Sequence, residues 1–227
     1  MTQEFTPRLD ILPPSQRRLW DELGAIPAEF VLYGGTAIAL HLGHRQSIDF
    51  DLFSNRPLDP TKLVPAIPFL TGATVTQLEP NTFSCLVDRD GEIKLSFFGL
   101  PGIPRLLPPL IAPDNGLQVA SLLDLAGMKA SVVQMRAEAK DYLDVDAILS
   151  DGRIDLPTAL AGAQAIYGRS FNPLATLKAL AYFEDGTLGR LPAAVKARLV
   201  KASSAVDLDR LPDIVATGLA PPDKGPV

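Results

Sequence analysis

Among 227 residues there is one cysteine, there are two histidines, and there is one tryptophan. A lone thiol, Cys85, excludes an internal disulfide and fits a reducing, cytoplasmic setting. Its neighbours, Phe83-Ser84-Cys85-Leu86-Val87, read as a buried strand in which the thiol serves as a small hydrophobe. Long apolar runs are also missing, so no segment is expected to cross a bilayer. The opening MTQEFTPRLDILPPSQRR lacks the positive-then-apolar layout of an export signal. Positive charge is scarce: 21 Lys and Arg face 26 Asp and Glu, for a net charge of -5. That balance excludes a strongly basic global field and makes duplex nucleic acid a poor default partner. No Gly-Lys-Ser/Thr triplet is present, which removes the P-loop.

What remains is 47% hydrophobic and long enough for one domain or two small ones. A helix is expected from Ser15 to Leu23, with Gly24 as its stop. Glu29–Tyr33 reads as a strand, Thr36–Leu42 as a short helix closed by Gly43, and Ser47–Phe53 as a second strand. Asp59-Pro60 is an N-cap followed by proline at the first helical position. Three β-runs follow at 73–78, 82–87 and 92–98, the last two joined by an Asp-Gly hairpin signal. The proline-rich stretch 101–113 reads as a join. Beyond it the pattern is helical over 120–150, 156–167, 172–183 and 192–201, with a Pro-rich end at 219–227 expected to fray. Trp20, Phe171 and Tyr182 are expected in the core. The domain reading is a mixed core at 1–113 and a helical part at 114–227.

The informative stretch is GGTAIALHLGHRQSIDFDLF, residues 34–53. Side chains two apart on a strand share a face, so Asp49 and Asp51 point together while Ile48, Phe50 and Leu52 point into the core. Two carboxylates about 7 Å apart along a strand repel one another. A hard divalent cation between them, completed by substrate phosphates, relieves that repulsion. The alternative is a pair facing solvent on the open side of a sheet. The neighbourhood favours the cation. Gly34-Gly35 allows close backbone approach, and the following helix start offers N–H groups to a phosphate. Thr36 can add a hydroxyl, Ser47 shares the aspartate face, and Arg45 can offset phosphate charge. A haloacid-dehalogenase-type Asp-x-Asp is disfavoured, because His44-Arg45-Gln46-Ser47 interrupts the apolar strand and no Thr follows two residues after Asp51. His41 is expected to pack on its short helix, and His44 stands nearer the site.

Strand, Gly-Gly-Thr, helix and Gly-His-Arg-x-Ser-x-Asp-x-Asp-Leu-Phe together resemble the minimal nucleotidyltransferases of the AbiEii/AbiGii type. These belong to the DNA polymerase β-like superfamily, and many are toxins of toxin–antitoxin or abortive-infection systems. Lys129, Arg136 and Lys140-Asp141-Tyr142-Leu143-Asp144 resemble the family's later lysine and its Lys-Asp-x-x-Asp block. The resemblance covers roughly residues 30–150. It implies an α+β fold: a nucleotidyltransferase-like mixed sheet with flanking helices, followed by a helical C-terminal part. It further implies transfer of a nucleoside monophosphate from an NTP to a hydroxyl of RNA, tRNA-like, or of protein. The cofactor would be Mg²⁺, with Mn²⁺ as the alternative, and a cognate antitoxin would be the partner.

Residue by residue, the resemblance makes Asp49, Asp51 and Lys129 catalytic, with the two aspartates holding the metal. Gly34, Gly35, Thr36, Arg45, Ser47, Lys94, Ser96, Lys140, Asp141 and Asp144 would bind nucleotide. On one unbroken helix Lys129, Arg136 and Lys140 would fall within about 20° of a single line, making a basic stripe; a turn near Ala137 would break it. One departure stands out. Superfamily enzymes place a third carboxylate on a neighbouring strand, and the equivalent position here is Ser96. Glu92, Asp141 or Asp144 could substitute, or the site could work with one metal, or the chain could bind nucleotide without transferring it.

Overall fold

The computed structural model describes residues 5–217, and the Pro-rich end at 219–227 lies outside them. The chain divides into two compact units. The first contains α1 (Pro14–Leu19), β1 (Val31–Tyr33), α2 (Gly34–Leu42), β2 (Asp49–Ser54), α3 (Pro60–Ala66), β3 (Thr74–Glu79), β4 (Thr82–Asp88), β5 (Glu92–Gly99), β6 (Leu110–Ile111) and β7 (Gln118–Val119). The second contains α4 (Leu122–Met135), α5 (Ala139–Asp151), α6 (Leu156–Tyr167), α7 (Pro173–Leu180) and α8 (Ala193–Ser204). This is the mixed sheet with flanking helices and a helical C-terminal part that the sequence predicts.

The described strands of the first unit form one seven-stranded sheet in the order β3-β4-β5-β2-β1-β7-β6. β2 runs antiparallel to β1 and parallel to β5, while β3, β4 and β5 form consecutive antiparallel pairs. The β4–β5 turn uses Asp90 at φ 56° and Gly91 at φ 143°, the positive dihedrals that the Asp-Gly signal predicts. One face of the sheet is sealed: Phe50, Leu52, Ile93, Leu95 and Phe97 are all fully buried. Phe30 meets Phe97 edge-on at 5.4 Å between centroids. Trp20, just after α1, is fully buried and donates its indole N–H to Asp114 Oδ2 at 2.6 Å. Each large apolar side chain so buried contributes roughly 1.5–3 kcal/mol. Cys85 is buried too, and burial pushes its thiol up to about 11, which suits a packing residue.

The second unit packs its helices around Leu160, Ala163 and Leu180, all fully buried, with Phe171 and Tyr142 beside them. α4 and α6 approach closely at a glycine: a Cβ on Gly127 would stand 3.0 Å from the Ala163 amide nitrogen. Ser121 caps α4 by accepting from the Asp124 amide at 3.1 Å. The Asp124 carboxylate accepts in turn from the Ser121 hydroxyl and from the amides of Leu106 and Leu107. That clamp draws residues 104–107 into the second unit, although 108–120 belong to the first.

Several expectations need correction. The first unit extends to residue 120 rather than ending at 113, because β6 and β7 join its sheet. The helix expected over 120–150 is two helices, since Arg136 takes extended dihedrals (φ -151°, ψ 141°) and terminates α4. The basic stripe therefore does not form. Ile48 is 67% exposed rather than in the core, because β2 begins one residue later and strand alternation does not reach back to it. Tyr182 follows the end of α7 and is 52% exposed, whereas Trp20 and Phe171 are buried as expected.

Candidate functional site

The open face of the sheet carries the motif. Asp49, Asp51 and Phe53 are half-buried and alternate with buried Phe50, Leu52 and Ser54. Across β5, Asp49 stands in register with Lys94 and Asp51 with Ser96; across β1, Asp51 stands in register with Tyr33. Paired positions share a face, so Asp49, Asp51, Lys94 and Ser96 project from the same side. The register places Ser96 where the third carboxylate was expected. Its hydroxyl is buried and lies 3.1 Å from the hydroxyl of Ser84 on β4. Glu92, exposed, is paired with Asp88 and lies four residues from Ser96 along β5.

The glycine pair is fitted against this face. Gly34 opens α2 at φ +71°, a conformation that an L side chain rarely adopts. A Cβ there would also sit 2.6 Å from Asp51 Oδ2. A Cβ on Gly35 would strike the Arg45 guanidinium and come within 3.2 Å of the Ser47 hydroxyl. Gly34 therefore lies against Asp51, and the neighbouring Gly35 lies against Arg45 and Ser47. Arg45 is further positioned by donating to the Gln46 carbonyl at 2.8 Å. Thr36 plays a different part: it is fully buried, and its hydroxyl donates to the Asp49 backbone carbonyl. That bond ties the start of α2 to the start of β2 and fixes the strand from which both aspartates project. His41 reaches the Ala120 carbonyl at 2.9 Å and stacks obliquely on Phe5, the packing role expected of it.

The later block lies in the second unit and is a buried charge cluster. Lys129 on α4 meets Asp141 at 2.5 Å and Asp144 at 2.8 Å, both on α5 and both without solvent exposure. Arg136 adds a bond to Asp141 at 2.7 Å. Burial pushes the Asp141 carboxyl up, but the Arg136 hydrogen bond and the charge of Lys129 outweigh it and hold it below the ordinary aspartate range. Lys140 is outside this cluster: it is exposed and pairs with Glu138 at 3.0 Å. The break after α4 is what turns Lys129 toward two aspartates twelve and fifteen positions further on.

Metal chemistry can be tested against the donors present. Among the described residues no group of three or more His, Cys, Asp and Glu side chains is gathered as a metal site. Asp49 and Asp51 supply two hard oxygen donors on one face, with a glycine backbone against them. That set suits a Mg²⁺ ion completed by substrate phosphates, and would not make a closed all-protein cage. Sequence reasoning missed two features of this face. One is Ser84, partner of Ser96. The other is a pair of rings: Phe53 and Phe98 are in register and stacked at 4.8 Å, with Tyr33 edge-on to Phe53 at 5.2 Å. Strand parity from Asp51 would have found Phe53.

Residues 18–215 match the family described as nucleotidyl transferase AbiEii toxin, type IV toxin–antitoxin system. The chain belongs to that family. An uncharacterised protein, aq_aa25 of Aquifex aeolicus (strain VF5), is 32% identical over 159 residues, covering 69% of this chain and 75% of that one. MenT4, a nucleotidyltransferase toxin of Mycobacterium tuberculosis H37Rv, shares the fold with a TM-score of 0.57 at 19% identity, over 85% of this chain and 84% of MenT4. A crystal structure of a candidate nucleotidyltransferase from H. pylori aligns with a TM-score of 0.52 at 16% identity, over 84% of this chain and 92% of that one.

Proposed function

We propose, from that membership, that the chain is a Mg²⁺-dependent nucleotidyltransferase, with Mn²⁺ as the alternative ion. It moves a nucleoside monophosphate from an NTP to a hydroxyl of RNA or protein, and acts in the cytoplasm as a toxin countered by a cognate antitoxin. The observation that carries this reading is the glycine pair, with Gly34 set against the Asp51 carboxylate and Gly35 against Arg45 and Ser47. The glycine backbone and the N-terminal amides of α2 receive the triphosphate, and Arg45 offsets its charge. Asp49 and Asp51 hold the cation, and Thr36 fixes the backbone of Asp49 by its hydrogen bond. When bound, Mg²⁺ would polarise the α-phosphate and neutralise charge on the departing pyrophosphate. Lys94 stands beside Asp49 in register and adds positive charge at the phosphates.

Ser96 favours a second reading, a module that binds nucleotide without transferring it. The residue in register with Asp51 is a buried hydroxyl tied to Ser84 and cannot take up an acceptor proton as a carboxylate does. Incubation with each α-labelled NTP, Mg²⁺, total RNA and purified protein separates the two. Label on RNA or on protein supports transfer. NTP binding with no labelled product under any of the four nucleotides overturns it in favour of the binding module.

A further inference from the structure

The open face holds one more ordered feature that the phosphate and metal roles leave unused. Phe53 follows Asp51 on the same side of β2, and Phe98 stands beside it on β5 exactly one pair beyond Ser96 in the alternation. Their rings stack with 28° between planes, and neither is sealed from solvent. The sheet does not need them as core, because the opposite face already buries Phe50, Leu52, Leu95 and Phe97 completely. Along the strand direction the face therefore runs in three steps. The Gly34-Gly35 turn, with Arg45 and Ser47 beside Gly35, leaves β1 at the end away from Phe53; the aspartates come next along β2, and the rings third. The step from Asp51 to Phe53 is about 7 Å, a span that a ribose bridges between its 5′-phosphate and its base.

We propose that Phe53 and Phe98 form the stacking platform for the base of the bound nucleoside triphosphate. This rests on the nucleotidyltransferase reading and deepens it by giving the donor a direction on the sheet: phosphates toward Arg45, base toward Phe98. An apolar π-surface beside a charged site is the arrangement that sorts a nucleotide by its two ends.

The test compares ligands that share phosphates and differ in the base. Each of the four NTPs and inorganic tripolyphosphate are titrated calorimetrically into the full chain with Mg²⁺, and into Phe53→Leu and Phe98→Leu. Leucine keeps apolar bulk and removes the flat face. The wild-type chain is expected to bind at least one NTP about tenfold or more tighter than tripolyphosphate. Each leucine variant is expected to lose about tenfold in NTP affinity while tripolyphosphate affinity is unchanged. Unchanged NTP binding by both variants overturns the platform and gives the rings to another occupant, such as the acceptor. Equal loss of both ligands also overturns it, making the rings a prop for the fold. Equal binding of NTP and tripolyphosphate by the wild type removes the base contact but leaves the phosphate and metal site standing. Failure of the wild type to bind either ligand fails the nucleotidyltransferase reading itself, and the platform with it.

Discussion

The aspartate pairs 49/51 and 141/144 are built in opposite ways. Asp49 and Asp51 sit half-buried on a strand, against a glycine that leaves room beside the carboxylate. Asp141 and Asp144 sit on a helix with no exposure, and Lys129 has already been brought to both. The same residue type at similar spacing is thus half-buried on a strand in one unit and fully buried against a lysine in the other. A half-buried pair can accept a cation from solution; a fully buried pair is costly without the internal cation that Lys129 supplies. The contrast teaches that motif spacing identifies acidic pairs, while burial and partners decide which pair is available for chemistry.

The contrast can be broken at its strongest point first. Asp49→Asn and Asp51→Asn should each reduce nucleotide transfer by about a thousandfold or more, on the order of 4 kcal/mol in the barrier. Their urea unfolding curves should match the wild type, because neither residue is in the sealed core. A variant that still transfers at wild-type rate would remove the pair from the mechanism. Lys129→Met should act in reverse, lowering stability by about 3 kcal/mol because two buried carboxylates lose their shared cation. Urea denaturation reads this directly, and a wild-type midpoint would show that the cluster is not a stability element. Pairing Lys129→Met with Asp141→Asn should recover part of the loss, the signature of direct coupling.

Acid should sharpen the difference more gently. The Asp141 carboxyl titrates below its ordinary range in the folded chain, so the unfolded chain binds more protons between the two values. Its contribution is complete above the ordinary aspartate value near 3.9 and is lost as pH falls through the lower folded value. The melting temperature should therefore decline below about pH 4, and Asp141→Asn should flatten that slope; an unchanged slope would assign the acid sensitivity elsewhere. The smallest effect belongs to Lys140→Ala. Lys140 is exposed and pairs with a half-exposed Glu138, so the change should move stability by less than about 0.5 kcal/mol. A larger drop would draw Lys140 into the buried cluster.

Much of the first unit was legible in residue order. Apolar alternation, the Asp59-Pro60 start and the Asp-Gly turn each act over a few residues, so the sequence carries them locally. The convergence of Gly34 and Gly35 on the aspartate strand was equally legible, because it depends on one short strand–helix–strand passage. Ser96 opposite Asp51 needed a family resemblance, since register between distant strands leaves no local trace. What escaped depends on breaks and on distance. A wheel drawn through 120–150 could not show that Arg136 is extended, and so could not turn Lys129 toward Asp141 and Asp144. β6 and β7 have two residues each, too few for a period to be read. Strand alternation carried back to Ile48 overruns the start of β2 by one residue.

The Asp124 clamp on Leu106 and Leu107 has a consequence for how the chain can be divided. Residues 104–107 serve the helical unit, yet 108–120 return to complete the sheet. At the far end of the helical unit, Thr217 pairs with the backbone of Arg105. The two units are interleaved in chain order, so no single cut yields one intact unit on each side. During synthesis the first tie of the helical unit leaves the ribosome before the last two strands of the sheet, and must wait more than a hundred residues for Thr217. Gene exchange at one crossover point would split at least one unit, which makes the whole span, not either part, the portable piece.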